Sequence, residues 1–455
     1  MTTSPGGEQP EHTLGSEPPG ADRRDCERRW TRNSAANVGL MFFSTGVAVV
    51  FSAAAGKAAY DATGRELYLG LIGLAEFLPR ALLVFVTGSL ADRLNRAWIV
   101  VSSTVIEALV CGGVALYLAR TSEVSVAVLI AAAGVFGIAQ AFRSPAARAL
   151  MSGSVTADVM PWLVVRWVFG WQIAAIGAPI VMGYLYARAP WWAFALAVAF
   201  AVGGAAVALA LVRAPGAVER ERTEHGPGLR DALAGVRVVR RTPVLLAAIS
   251  LDLFAVLFGG AIALLPAIAD ERLHVGTTGF GWLRAAPGIG SFVMTLWLAR
   301  RPIERHVGRS LLFAVAVFGV GHVVLGVTTS FVVAFAAVLV AAAADGISVF
   351  IRHTLVPLVT PPDLRGRVNA VESVFIGASN ELGAFESGVT AQALGTAPAV
   401  AAGGALTLAV VVAWWKAFPE LVALDRFPTQ VGASDASLLA AHNTLAAGDA
   451  DLGQS

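Results

Sequence analysis

Charge is what this sequence has least of. Of its 455 residues 14% are charged and 56% are hydrophobic, whereas soluble domains carry about 25% charged residues. So few charges exclude an ordinary water-exposed globular enzyme. Lysine is almost missing: Lys57 and Lys416 stand against a large number of arginines. Together with abundant alanine, this usage points to a high-GC bacterial source. Cysteine is limited to Cys26 and Cys111, which gives neither a disulfide framework nor metal-ligand spacing. There is no phosphate-cradling glycine loop, zinc motif or G-x-S-x-G turn. Neither an enzyme, a metal nor a cofactor is expected. The net charge of +2 offers no nucleic-acid surface. Residues 1–33 lack the apolar core of a signal peptide and read as a disordered polar tail.

What is present in quantity is apolar length. Twelve segments rich in Ala, Val, Leu, Phe and Gly each approach the roughly 20 residues that cross a bilayer. They run approximately 34–56, 67–88, 97–118, 125–142, 162–186, 191–212, 243–268, 277–299, 310–328, 331–351, 368–394 and 399–418. The sequence therefore predicts an all-α membrane protein. Its organisation reads as a tail (1–33), a six-helix bundle (34–212), a central loop (213–242), a second six-helix bundle (243–418) and a polar tail (419–455). Basic residues concentrate on the cytoplasmic side of membrane proteins. With both termini inside, 25 of the 33 lie inside, five outside and three within spans. The inside set includes Arg143 and Arg352, in "AFRSPAARAL" and "VFIRHTLVPL", at matching places in the fourth helix of each half. Repeated halves are a transporter signature, with the substrate site near the midplane between them.

Between the second and third segments lies "GSLADRLNR", residues 88–96. Gly88 permits a tight helix end. Asp92, Arg93 and Arg96 are placed for ion pairs that latch the inner face. This stretch resembles the signature loop of the major facilitator superfamily, G-x-L-a-D-r-x-G-r. Gly88, Leu90, Asp92, Arg93 and Arg96 match, and Asn95 replaces the second glycine, where it tolerates a left-handed backbone. "RAAPGIGS" (284–291), "TPPDLRGRVNA" (360–370) and "SNELGAFESG" (379–388) resemble the bacterial exporter branch that includes the enterobactin exporter and its drug-efflux relatives. The resemblance implies twelve helices in two pseudo-symmetric bundles and a multi-pass protein of the bacterial cytoplasmic membrane. The fifth segment carries Gly170, Gly177, Pro179 and Gly183, a degenerate form of a pattern associated with antiporters. Small residues let helices approach closely.

Ionisable residues inside a bilayer cost at least about 2.5–3.5 kcal/mol and are functional candidates by default. Asp252, Glu386, Asp345 and Glu76 are the proton-coupling candidates. Arg284, Arg80, Glu386 and Ser379 are the substrate-binding candidates. Asp252 and Arg284 land at similar depth on adjacent antiparallel segments and are expected to pair, as a switching pair or as a static salt bridge. Glu76 and Arg80, four residues apart, share a helix face and also read as a local pair. Glu107 lies on a peripheral segment, Arg166 among interfacial tryptophans, and His322 reads as a packing residue. Glu372, Ser379 and Glu386 form one polar stripe, expected to face the central cavity. Gly177, Pro179, Gly183, Asn380 and Glu381 are assigned to helix packing.

The expected activity is secondary active export of a small amphipathic molecule, siderophore or drug, by alternating access with proton antiport. Import or lipid flipping on the same scaffold is the alternative, and a non-transporting membrane sensor or assembly partner the third. The partners expected are the small-molecule substrate, protons and the bilayer, with a monomeric protein.

Overall fold

The computed structural model describes residues 23–93, 95–121, 123–153, 160–212, 236–360 and 364–428. Among them are twelve long helices and no strand. In chain order these are α1 (Arg23–Thr63), α2 (Leu67–Arg93), α3 (Arg96–Arg120), α4 (Val126–Gly153), α5 (Met160–Tyr186) and α6 (Pro190–Val212). They continue with α7 (Pro243–Arg272), α8 (Gly276–Arg300), α9 (Val307–Val327), α10 (Phe331–Val359), α11 (Arg365–Leu394) and α12 (Thr396–Ala417). Each apolar segment of the sequence falls on one helix.

Nine of these helices are long and apolar enough to cross a membrane among the described residues. The other three, α2, α8 and α11, are those that carry Glu76 and Arg80, Arg284, and Glu372, Glu381 and Glu386. Prolines 79, 145, 179, 287 and 357 lie within helices. Packed neighbours make this tolerable in membrane helices. Asn95 is an N-cap at φ −66, not a left-handed residue, and its side-chain oxygen accepts from Ala97 N at 3.0 Å. It thereby satisfies one of the donors left free at a helix start.

Helices α1–α6 pack among themselves, as do α7–α12. The halves meet along two seams, α2 against α11 and α5 against α8. Three clusters of buried apolar side chains lie toward the arginine-rich end, and each belongs to one half. The largest cluster lies toward the opposite, far end and joins both, running from Val47, Phe51 and Phe136 to Leu264, Leu265 and Phe280. Phe51 stacks on Phe136 at 4.1 Å. The molecule is therefore closed at its far end.

Both seams are made of small residues. A Cβ on Gly70 would come within 2.8 Å of Phe385 Cα, and one on Gly183 within 3.0 Å of Gly281 Cα. Backbone meets backbone there, which is how membrane helices gain packing energy without a hydrophobic drive.

α7 is irregular. It is α-helical over Pro243–Phe258, a 3-10 turn over Gly260–Leu264, and a π turn over Ile268–Arg272. Two tail boundaries are corrected. α1 begins at Arg23, inside the stretch assigned to a polar tail. After α12, Leu421 is fully buried, and the amides of Val307 and Gly308 donate to Asp425 O and Leu424 O. Residues 419–428 are thus docked on the bundle. A short helix at 236–241 ends the central loop.

Candidate functional site

Three charged clusters occupy the interior. The first belongs to the N-terminal half. Arg143 of α4 donates to Glu107 of α3 at 2.7 Å, with side chains 8% and 0% exposed. The second sits on the α2–α11 seam. Arg80 lies 3.3 Å from Glu76 and 3.5 Å from Glu381 of α11. Arg284 of α8 is the other cation of this group, its charge acting on Glu381 and Glu76. The third belongs to the C-terminal half. Arg352 of α10 is 2.8 Å from Asp252 of α7 and 3.4 Å from Glu372 of α11. Asp345, two turns before Arg352, is electrostatically joined to Asp252 and Arg352.

The charge balance differs between them. The N-terminal cluster is one acid to one base, and the seam is two to two. Among the described residues, the C-terminal cluster sets three acids against Arg352 alone. It also holds a buried Arg352 Nε without a hydrogen-bond partner. An interior group with surplus carboxylates is costly unless protons or cations neutralise it.

A fourth polar network closes the far end. Lys57 of α1, 4% exposed at its side chain, bridges Asp61 on its own helix and Asp270 of α7, the latter at 2.8 Å. Tyr60 donates to Glu271, and Tyr186 to Asp61 at 2.8 Å. Thr396 of α12 lies 3.0 Å from Glu66 and 3.1 Å from Glu271. Three of these links, Lys57–Asp270, Tyr60–Glu271 and Thr396–Glu66, cross between the halves.

Two concavities accompany the charges. A partly open cavity of about 90 Å³ lies within the C-terminal half, lined by α7, α8, α9 and α10, with His322 and Asp345 in its wall. A groove of about 590 Å³ runs between α1 and α5, lined by Val38, Phe42, Phe169 and Ile173, with Arg166 the one charge among its described lining residues. Arg166 also lies 3.4 Å over the Trp162 ring.

Several expectations are corrected by this geometry. Asp252 pairs with Arg352 and not with Arg284, because α10 and α11 enclose Asp252 while Arg284 looks across to the α2–α11 seam. Arg143 and Arg352 are buried ion-pair partners inside their helices, not residues at the inner helix ends, since α4 and α10 run on to Gly153 and Val359. Gly177 makes no close helix contact: a Cβ there would meet nothing within 4 Å. Pro179 and Gly183 do pack, both against Gly281. Asn380 is exposed and donates to its own Ile376 O. Ser379 is 2% exposed and bonds the same carbonyl, and Glu372 is bound to Arg352. Glu372 therefore faces the interior of the C-terminal half, and neither it nor the buried Ser379 lines an open central cavity. Glu386 accepts from Thr390 on its own helix at 2.7 Å.

In the signature loop, Gly88, Leu90, Asp92 and Arg93 fall on α2, with side chains outside the described residues, and Arg96 opens α3. Sequence reasoning missed the far-end network and the cavity position of His322. Lys57 and Asp61 at i, i+4 were a signal for the first.

A family described as transmembrane secretion effector matches residues 28–442. No curated protein matches the chain. Among solved structures, a bacterial homologue of the human lysosomal transporter Spinster, inward-facing and unoccupied, aligns at 16% identity with a TM-score of 0.63. It covers 86% of this chain and 96% of that one. The nucleoside transporter NupG aligns at 12% identity and TM-score 0.62, covering 84% and 98%. The human organic anion transporter MFSD10 aligns at 16% and 0.57, covering 88% and 100%. These likenesses establish the fold, and the family match spans nearly the whole chain. It is a multi-pass membrane transporter of the transmembrane secretion effector family, within the major facilitator superfamily.

Proposed function

We propose that the protein is a proton-driven exporter of a small amphipathic molecule, a siderophore or a drug, in the bacterial cytoplasmic membrane. The observation that carries this reading is the three-to-one excess of acid around Arg352. A cluster that must take up positive charge to be stable is a natural site for the coupling proton. Asp252 and Asp345 are its carriers, with Glu386 and Glu76 as further candidates.

The excess of arginine at one end supports placing that end, and both termini, in the cytoplasm. The closed far end then faces outside, and this conformation is the one ready to load cargo from the cell. Residues 34–212 and 243–418 are the two rocking bodies, and the motif Gly88, Leu90, Asp92, Arg93 and Arg96 latches the inner face in the opposite state. The α1–α5 groove, within the size range of small-molecule sites, supports an apolar cargo with an anionic group for Arg166. Arg80 and Arg284 on the seam are the second contact for that group.

A deletion strain screened for siderophore in the medium and for drug sensitivity identifies the cargo class. Uptake of that cargo into inverted vesicles is expected to need a pH gradient. Uptake unchanged by an uncoupler sinks proton coupling, and accumulation by intact cells reverses the direction to import.

A further inference from the structure

We propose that the groove between α1 and α5 is a binding site for one acidic phospholipid of the leaflet at the arginine-rich end. Such a site serves either direction of transport and any coupling ion, and a cargo that enters the groove displaces the lipid.

The groove lies on the outer side of the N-terminal half. Its α1 wall borders α6: Phe42 meets the Phe200 ring at 5.6 Å, and a Cβ on Gly39 would lie 3.7 Å from Val207. α6 in turn packs on α1, α3 and α5, all of the same half. The α5 wall, Arg166, Phe169 and Ile173, is exposed. The floor is a backbone contact at Gly170, where a Cβ would come within 3.0 Å of Val38 O. An apolar recess on that side of a membrane protein meets lipid chains and not water.

Its polarity runs one way. Arg166 and Ser34 line the arginine-rich end, four and one residues into their spans. Ile173 and Phe42 line the other end, eleven and nine residues in. At 1.5 Å per residue the polar mouth is about 2–6 Å deep and the apolar end about 14–17 Å. That is about half of a 30 Å hydrocarbon core. The groove therefore spans one leaflet, from headgroup level to the ends of the chains. Its volume of about 590 Å³ is that of a site for one small molecule, hence for one lipid.

Arg166 suits a phosphate. Its guanidinium lies 3.4 Å over the Trp162 ring. Stacking occupies the face of the fork and leaves its edge N–H groups to donate, and two parallel donors match a phosphate. Among the described residues no carboxylate pairs with it. Ser34, in the same wall and 1% exposed, has a hydroxyl without a hydrogen-bond partner, so a second donor is uncommitted beside the mouth. In sequence, Arg23, Arg24, Arg28, Arg29 and Arg32 lead into Ser34. About four to eight basic residues beside a span attract acidic lipid. A zwitterionic lipid brings its own cation to Arg166 and leaves that charge unanswered.

Native mass spectrometry of the purified protein, with neither cargo nor gradient, tests this. The probes are phosphatidylglycerol, phosphatidylcholine with the same chains, and free glycerol phosphate. The parent is expected to retain one phosphatidylglycerol at least about fivefold over phosphatidylcholine, the effect of one basic residue beside an acidic headgroup. Arg166→Gln is expected to lose this preference and Arg166→Lys to keep part of it. Ala35 is an exposed residue of the groove wall, so Ala35→Trp keeps the charge, fills the space and is expected to lose the lipid. A photoactivatable phosphatidylglycerol is expected to label the segment 160–173 in the parent and not in Ala35→Trp. Equal retention of the two lipids, a preference untouched by Arg166→Gln or Ala35→Trp, or displacement by glycerol phosphate overturns the site. So does a dimer that Ala35→Trp abolishes, because a second copy is then the occupant. Should Arg166→Gln not yield a monodisperse protein, Ala35→Trp and the photolabel decide.

Discussion

Replacing Glu107 by glutamine strands Arg143 in the interior of the N-terminal half. The pair is 2.7 Å long, and neither side chain is more than 8% exposed. Removing one member of such a buried pair costs about 3–5 kcal/mol. Glutamine keeps an amide oxygen that returns about 1 kcal/mol as a neutral hydrogen bond. The expected loss is about 2–4 kcal/mol, roughly a 30- to 700-fold shift toward the unfolded state at 1.4 kcal/mol per tenfold. Removing both charges has a different effect. Glu107→Leu with Arg143→Met leaves no stranded ion, and stability within about 1 kcal/mol of the parent is expected. The protein carries its own reporter. Cys111 is fully buried one turn beyond Glu107 on α3. In a Cys26→Ser background, a fluorogenic thiol reagent reads its exposure during denaturation by sodium dodecyl sulfate in mixed micelles. A glutamine variant as stable as the parent refutes the argument, and so does a double variant as weak as the single one.

Other perturbations follow from the same geometry. Gly281→Val places side-chain atoms within 2.6 Å of Pro179 O. It is expected to part α5 from α8 and abolish vesicle transport in a monodisperse protein, while Gly177→Ala transports normally. Lys57→Met leaves Asp61 and Asp270 facing each other without their cation. Spin labels at Arg65 and His274 should then report a longer far-end distance by double electron–electron resonance, and an unchanged distribution counts against the closure role. Arg352→Gln removes the one base that the described residues set in a cluster of three acids. Expression at parental thermal stability would contradict that cluster's charge count.

The twelve helices were legible because apolar runs and arginine punctuation are local signals. The same punctuation misled at Arg143 and Arg352. An arginine marks a helix end only when water receives it, and here Glu107 and Asp252 arrive from other helices to receive it instead. Asp252 and Arg284 matched in depth, but depth says nothing of azimuth, and α7 and α8 present them to different partners. Gly177 and Gly183 look alike as letters; only Gly183 has Gly281 opposite it. The His322 cavity depends on a bend in α7 that no single residue announces.

The glycine seams bear on speed. A joint of side chains must disengage its knobs before it can turn, and each lost contact adds to an activation barrier. α2–α11 and α5–α8 offer backbone ridges where Gly70 meets Phe385 and Gly183 meets Gly281, and the ties to be undone there are polar, Arg80–Glu381 on the first seam and Gln172–Gly288 on the second. With the seam ties, the links to be broken for the far end to open are Lys57–Asp270, Tyr60–Glu271 and Thr396–Glu66. Each 1.36 kcal/mol removed from them quickens opening tenfold. Opening of the far end is thus expected to be set by a few ions and hydroxyls and not by the thousands of atoms that move with them.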